Sequence, residues 1–383
     1  VKIQEHVVGA SRQDEKEASK ANGASIIDCD IHYEPVSVAH DLAPRVAPEW
    51  RRYLNEGFTG NMTAYAHAAG FNRDDIEPEE GHSRASMSTR RLKETHLDVW
   101  DIEYGILIPG RITGLAYLPQ HGLATALAAA HNDFTLDAWL ADGDARKKAS
   151  ILVAPQDPKA AAREIDRMAE HPDMVQIALT TRSPGGVQWG DEKYYPIWEA
   201  AQRNDLPIAF HLLISAGDVT PPMTNGWPRS YFEVQASYPL SAQSELISIV
   251  SRGVFDAFPD LRVVFVENGF EWVPSLMWRL DEKWRELRFE VPWLKRPPSA
   301  YIRDHVRFTT QPISLPENHA HMVQMFDMMG SEEMIMFSSD WPHWDFDSPT
   351  KALPSGLGPH LKQRIMSENA RDFYRLPASV GGR

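Results

Sequence analysis

The chain predicts an α/β fold, a (β/α)8 TIM barrel with long insertions in the loops after its first and fifth strands. Three observations predict it. From residue 25 onward, eight short apolar or β-branched runs alternate with amphipathic segments of helix length. The runs are apolar nearly throughout, as parallel strands buried on both faces are. A length of 383 residues also suffices to bury one large core of this kind. A doubly wound sheet would bury its strands equally well, but it does not require eight units.

The first strand is read at "SIIDCDIH" (25–32), behind a polar, charged N-terminal arm of residues 1–24 that lies outside a barrel domain of residues 25–383. Residues 33–90 then intervene before a helix, "TRRLKETHLDVWD", and the second strand, "YGILIPG" (104–110). The third strand is "KKASILVAP" (147–155), and the helix after it, "DPKAAAREIDRMAE", opens with an Asp cap and a proline in its first turn. "MVQIALTT" (174–181) is the fourth strand, and "YYPIWEAAQRND" leads to the fifth, "PIAFHLL" (207–213). A second insertion, 214–239, follows, and the last three strands are "RVVFVEN" (262–268), "VRFTTQPI" (306–313) and "MIMFSSD" (334–340). Long βα loops sit at the C-terminal mouth of a barrel, so both insertions are candidates for a lid or a subunit contact. The aromatic-rich stretch 284–301, "WRELRFEVPWLKRPPSAY", is a further candidate contact.

Composition removes several function classes. Lys+Arg 39 against Asp+Glu 53 gives a formal charge of −14, and there is no basic block, so neither nucleic acid nor an anionic membrane is an expected partner. No apolar run approaches the ~18 residues of a membrane span. The single cysteine, Cys29, excludes an intrachain disulfide and a thiolate zinc cage, and it points to a reducing, cytoplasmic setting.

In a barrel of this type the chemistry belongs at the C-terminal strand ends. The first strand supplies Asp28, Asp30 and His32, which a two-residue period aims toward one side, leaving Cys29 to pack toward the helices. The fifth strand ends in His211, the sixth in Glu267, the seventh in Gln311 and the eighth in Asp340. Taken singly, each is as readily a rim hydrogen-bonder or helix cap. Together, carboxylates and imidazoles at four strand ends must converge on one mouth, where unpaired charges cost several kcal/mol each. A divalent cation resolves that cost. With no thiolate in the set, Zn, Mn or Fe is expected.

The D-x-H ending of the first strand, the histidine closing the fifth, "ENGFEWVPSLMWRLD" after the sixth and "SSDWPH" at the eighth resemble the amidohydrolase superfamily over about residues 25–377. The branch is the amidohydrolase-related (amidohydrolase 2) family, named for aminocarboxymuconate-semialdehyde decarboxylase. The resemblance implies one catalytic Zn or Mn held by Asp30, His32, His211 and Asp340, with Asp340 also reaching the reacting carbon. It implies that His343 lines the entrance or orients Asp340, and that the protein forms homodimers or pairs with a related subunit. Two departures stand out. Decarboxylase members carry histidine where this chain has Glu267, and many open with His-x-His or Glu-x-His, not Asp30 with His32. Glu267 is then a partner base or an additional metal ligand. The fourth strand lacks the lysine that could bridge two metals once carboxylated.

The expected activity is that of a metal-dependent carboxy-lyase or hydrolase on a small carboxylated cyclic or aromatic substrate, with metal-activated water and Asp340 as proton donor. Tyr33, Arg182, Gln311, Trp341, His343 and Trp344 are candidates for gripping a planar acid at the mouth. Two other readings compete with it. One is a dinuclear non-haem oxygenase or hydroxylase using the same carboxylate-rich set; the other is a non-catalytic barrel subunit supporting an active partner.

Overall fold

The computed structural model describes residues 25–52, 54, 72–73, 75–82, 86–213 and 228–378. The arm of residues 1–24 and much of both insertions lie outside the described residues. Eight parallel strands run in sequential order: β1 (Ile26–Tyr33), β2 (Ile102–Pro109), β3 (Lys147–Leu152), β4 (Met174–Thr180), β5 (Ile208–His211), β6 (Val263–Val266), β7 (Val306–Thr309) and β8 (Ile335–Met336). The ring closes between its last strand and its first, where Cys29 N–H donates to the Phe337 carbonyl (3.0 Å) and His32 N–H to that of Trp341 (2.7 Å).

Helices cover the outside. α1 is built from the consecutive segments Thr89–Leu92, Lys93–Leu97 and Asp98–Trp100, and Ser88 caps it by accepting from Arg91 N–H. It is followed in order by α2 (His121–Phe134), α3 (Pro158–Met168), α4 (Tyr195–Arg203), α5 (Pro239–Ser251), α6 (Val273–Leu287), α7 (Pro298–His305) and α8 (His319–Met329). The Asp157 cap and the proline read from sequence at the start of α3 are both present, with Asp157 accepting from Ala160 N–H. Outward-facing strand residues such as Ile151, Ile177, Phe210, Phe265 and Phe308 pack beneath these helices in one continuous core.

The lumen is a second core. Ile106 and Ile108 of β2 reach Val264 and Val266 across the barrel, and Phe373 and Tyr374 of α9 (Asn369–Tyr374) fill its foot. Cys29 belongs to this inner set with Ile27, contrary to its expected outward orientation. A shift in the β1–β2 register between Asp28 and Ile31 is the reason. An extra residue there breaks the two-residue alternation. Asp28 is left on the outer side of β1, facing α1, while Asp30 and His32 turn to the mouth. The three residues therefore do not share one side.

Candidate active site

Four strand ends build the site. β1 contributes Asp30 and His32, β5 ends on His211, Glu267 follows β6, and Asp340 and His343 follow β8. Asp30, His32, His211 and Glu267 form one tetrad with ligand atoms all within 4.8 Å of one another, and His32, Glu267, Asp340 and His343 form a second. His32 Nε2 lies 3.2 Å from Asp30 Oδ1 and 3.0 Å from Asp340 Oδ1, and His211 Nε2 lies 3.6 Å from Asp30 Oδ2 and 3.3 Å from Glu267 Oε2. His343 Nδ1 is 2.6 Å from Asp340 Oδ1. His211 Nδ1 bonds the Leu212 carbonyl, which fixes the ring and directs Nε2 into the cluster.

Two of the five non-glycine residues that hold a positive φ among the described residues belong to the site. Glu267 (φ 59°) and Asp340 (φ 60°) adopt left-handed backbone conformations that non-glycine residues rarely hold. Each sits where the chain leaves the barrel wall, so the conformation turns its carboxylate over the mouth. Asn268 braces the first of these turns by donating from Nδ2 to the Val266 and Phe210 carbonyls.

The electrostatics are those of an anionic cluster withdrawn from water. Burial pushes Glu267 and Asp340 well above the usual carboxylate range, reinforced for Glu267 by Asp340 and for Asp340 by Asp345 and Asp30. Burial likewise raises Asp30, against the pull of His211, and it holds His32 well below the ordinary histidine value with help from His343 and His211. Both oxygens of Asp30, both ring nitrogens of His32, Nε2 of His211 and Oδ2 of Asp340 are buried without a hydrogen-bond partner. A native interior rarely leaves so many polar atoms unsatisfied in one place. The donor set is nitrogen and oxygen only, neither tetrad contains a lysine or arginine, and the orphaned atoms face one another. These residues fit a Zn, Mn or Fe ion.

A cavity opens from the cluster to the surface. His32, His211, Glu267 and His343 form its floor, and its walls include Trp344, Tyr231, Arg111, Asn72, Met87 and Glu34. The first insertion crosses the mouth here: Asn72 bridges to His343, and Arg73 N–H donates to the Pro342 carbonyl (2.8 Å). A Cβ at Gly110 would meet the Glu34 carboxylate, which also accepts from Arg111 N–H, so a side chain there would have to displace the head of Glu34. Burial raises Glu34 to about 7.

Of the proposed gripping residues, His343 and Trp344 line this cavity. Tyr33 borders it, but its hydroxyl is bonded to Thr135 at 2.7 Å and its ring packs on His131 and Trp139. Trp341 is fully buried in the outer core, its ring 6.0 Å from that of His96. Gln311 is fully buried and donates from Nε2 to the Asp345 carbonyl (3.3 Å), tying down the loop after β8. The Arg182 carbonyl accepts from Tyr117 and Thr180, and its side chain lies beside Tyr117 and Glu245, away from the cavity. Trp341, Gln311 and Arg182 thus stand in the frame around the mouth. The reading from sequence missed Glu34, Asn72, Arg111 and Tyr231. Glu34 had a usable signal, since it follows the D-x-H strand end directly. Of the other three, Arg111 and Tyr231 open short helices after β2 and β5 and Asn72 lies in the first insertion, and none carries a distinguishing pattern.

The model of the family described as Amidohydrolase matches residues 27–376. Gamma-resorcylate decarboxylase of Polaromonas sp. (strain JS666 / ATCC BAA-500) is 23% identical over 333 residues, which cover 84% of this chain and 98% of the relative. Among solved structures, 5-carboxyvanillate decarboxylase of Novosphingobium aromaticivorans DSM 12444, complexed with manganese and 4-hydroxy-3-methoxy-5-nitrobenzoic acid, superposes with a TM-score of 0.70 at 20% identity, covering 93% of this chain and 97% of that one. 2,6-Dihydroxybenzoate decarboxylase from Rhizobium gives 0.65 at 18% identity, covering 92% and 99%.

Proposed function

The chain belongs to the amidohydrolase family, and from that premise we propose that it is a metal-dependent decarboxylase of a small hydroxylated aromatic carboxylate. The observation that carries the proposal is the convergence of six ionisable side chains from four strand ends, four of which, Asp30, His32, His211 and Asp340, bury ligand atoms without a hydrogen-bond partner. Asp30, His32, His211 and Asp340 would hold the ion, and Glu267 stands close enough to His211 to join them. Manganese or zinc suits this set, and a bound ion would polarise a substrate oxygen and draw developing negative charge off the ring.

The chain's own residues then do the rest. Burial and its acidic neighbours raise the proton affinity of Asp340, and the proton it carries would go to the ring carbon that bears the carboxylate. The bond from that carbon to the carboxylate breaks, CO2 leaves, and the bonding pair returns to the ring. Asp340 regains a proton from solvent. His343, hydrogen-bonded to Asp340 Oδ1 at the cavity edge, orients the donor. Trp344 and Tyr231 flank the cavity where a planar ring would lie. Residues 25–383 would act as one catalytic domain beyond the 1–24 arm, as a cytoplasmic homodimer.

The relatives named above are decarboxylases, which leaves the non-catalytic reading without support. One observation favours a second reading of the metal content: the two tetrads share His32 and Glu267, so Glu267 could bridge two ions in a dinuclear, oxygen-using centre. Metal analysis of protein purified without chelator, coupled to CO2 release from 2,6-dihydroxybenzoate and 5-carboxyvanillate, tests both. One ion per chain with CO2 release is expected. Two redox-active ions with oxygen consumption would replace decarboxylation by the second reading, and a metal-free chain inert to these acids would sink both.

A further inference from the structure

Behind the site, on the helix side of the barrel wall, lies a buried carboxylate that the proposed chemistry does not use. Asp28 is fully buried, and four donors surround its two oxygens. Oδ1 accepts from the backbone N–H of Asp30 (3.2 Å) and of Ser339 (2.9 Å). Oδ2 accepts from Ser339 Oγ (2.6 Å) and meets His96 Nε2 of α1 at 2.7 Å. Ser339 Oγ in turn accepts from Trp341 N–H (3.2 Å). Both donor peptides adjoin residues of the site: one is the N–H of Asp30 itself, and the other belongs to the residue preceding Asp340.

The position of this knot matters. β8 ends at Met336, so the chain from Phe337 to Trp341 runs beside β1 outside the sheet proper, with two backbone bonds across the seam from Cys29 and His32. Asp340 holds a left-handed backbone conformation at the end of that span, which persists only when its surroundings over-determine it. Asp28 supplies that constraint from one side, and His96, wedged against Trp341 and Phe346 (ring centroids 6.0 and 5.7 Å apart), fixes Asp28 from the other. A carboxylate satisfied by four donors is rigid in a way that a two-bond seam is not.

We propose that Asp28, with Ser339 and His96, is the positioning unit of the metal centre: it sets the spacing between Asp30 on β1 and Asp340 after β8 without touching ion or substrate. The proposal rests on the metal-site reading above. It differs from ordinary barrel packing because it couples one buried side chain to ion geometry, not to stability alone. Supports of this kind are worth about 10–100-fold in metal affinity. Asp28→Asn keeps a carbonyl oxygen for the two backbone donors but loses the charged acceptor for Ser339 Oγ and His96, whereas Asp28→Ala loses all four contacts.

The test is titration of the full chain, stripped of metal, with Mn2+, reading affinity by calorimetry and ligand symmetry by the electron paramagnetic resonance spectrum of the bound ion. Glu245 serves as control: it is a buried carboxylate that accepts from Ser183 and Trp189, away from the mouth. The expected result is Mn2+ affinity lowered about 10–100-fold in Asp28→Ala, with an altered spectrum, and a smaller loss in Asp28→Asn. Ser339→Ala, the mildest change should Asp28→Ala fail to fold, weakens Mn2+ binding like Asp28→Asn, and combining those two adds little. Glu245→Gln leaves affinity and spectrum unchanged. Wild-type affinity and spectrum in the Asp28 and Ser339 variants, or an equal loss in Glu245→Gln, would overturn the positioning role alone. Failure of the wild-type chain to bind Mn2+ would overturn it together with the metal reading.

Discussion

The two ends of the barrel lumen bury polar side chains equally deeply and treat them in opposite ways. At the foot, Tyr374 donates to Gln176 Oε1 (3.0 Å), Gln176 Nε2 to Ser150 Oγ (2.8 Å), and Ser150 Oγ to the Leu107 carbonyl (2.8 Å), a relay in which every link is made. At the mouth, Asp30, His32, His211 and Asp340 are buried as thoroughly, yet six of their polar atoms have no hydrogen-bond partner. Gln176, Ser150, Asp30 and Asp340 are all fully inaccessible, so burial does not separate the two ends. Satisfaction does. The foot is finished by its own side chains, and the mouth keeps the unsatisfied ligand atoms on which the proposed metal site rests.

The largest expected effect tests whether the mouth is chemical machinery. Asp340→Asn keeps the shape of the proton donor and removes its proton, and loss of such a group costs about 10²–10⁴-fold in rate. Turnover measured by CO2 release should fall by about that factor in protein saturated with Mn2+. A variant retaining wild-type turnover would make the mouth as inert as the foot.

Metal removal comes next, with a sign that pH should reveal. In the metal-free fold, burial holds Asp30, Glu267 and Asp340 above their unfolded values. The folded state therefore binds more protons than the unfolded one as pH climbs past the ordinary carboxylate range, and metal-free stability falls with rising pH. His32 acts in the other direction, because its lowered value costs stability only below the ordinary histidine range. The metal-bound chain, in which Asp30 and Glu267 would bind the ion deprotonated, escapes much of this loss. The stability gained from Mn2+, about 2.7 kcal/mol at a hundredfold excess over Kd, should at one fixed Mn2+ concentration be larger at pH 7 than at pH 5. A gap that narrows would contradict the reading of these acids as ligands.

How far the sequence carried this picture also follows the two ends. The strands were legible because a buried parallel strand must be apolar along its length, and His211, Glu267 and Asp340 were legible because each interrupts such a run where the strand ends. The orientation of Asp28 and Cys29 was not, since one extra residue in β1 reverses the alternation and no residue type announces it. Trp341 and His343 are two positions apart and were both read as facing the mouth. The turn at Asp340 sends Trp341 into the outer core and His343 to the cavity. Arg111, Asn72 and Tyr231 enter the wall from the connections after β1, β2 and β5, where contacts are set by the tertiary fold and leave no periodic trace. The foot relay was equally hidden, because Gln176 and Ser150 are ordinary residues until Tyr374 arrives from the far end of the chain.

The two smallest expected effects apply one substitution to both ends. Tyr374→Phe removes a single oxygen and leaves the buried Gln176 Oε1 without its donor, a loss of about 1–3 kcal/mol. It should lower Tm by several degrees without changing Mn2+ content or KM. Tyr231→Phe removes the same oxygen at the mouth, where the ring lines the cavity and the hydroxyl accepts from Gln235 Nε2 at 2.7 Å. Gln235 is only half-buried and can turn to water, so stability should hold within about 0.5 kcal/mol. A substrate bond lost at this hydroxyl would instead cost about 1 kcal/mol, read as a KM several-fold higher with kcat little changed. Thermal unfolding and steady-state kinetics on the pair check this directly. If Tyr231→Phe lowered Tm as Tyr374→Phe does and left KM alone, Tyr231 would be a structural residue like Tyr374, and this part of the mouth wall would be as self-contained as the foot.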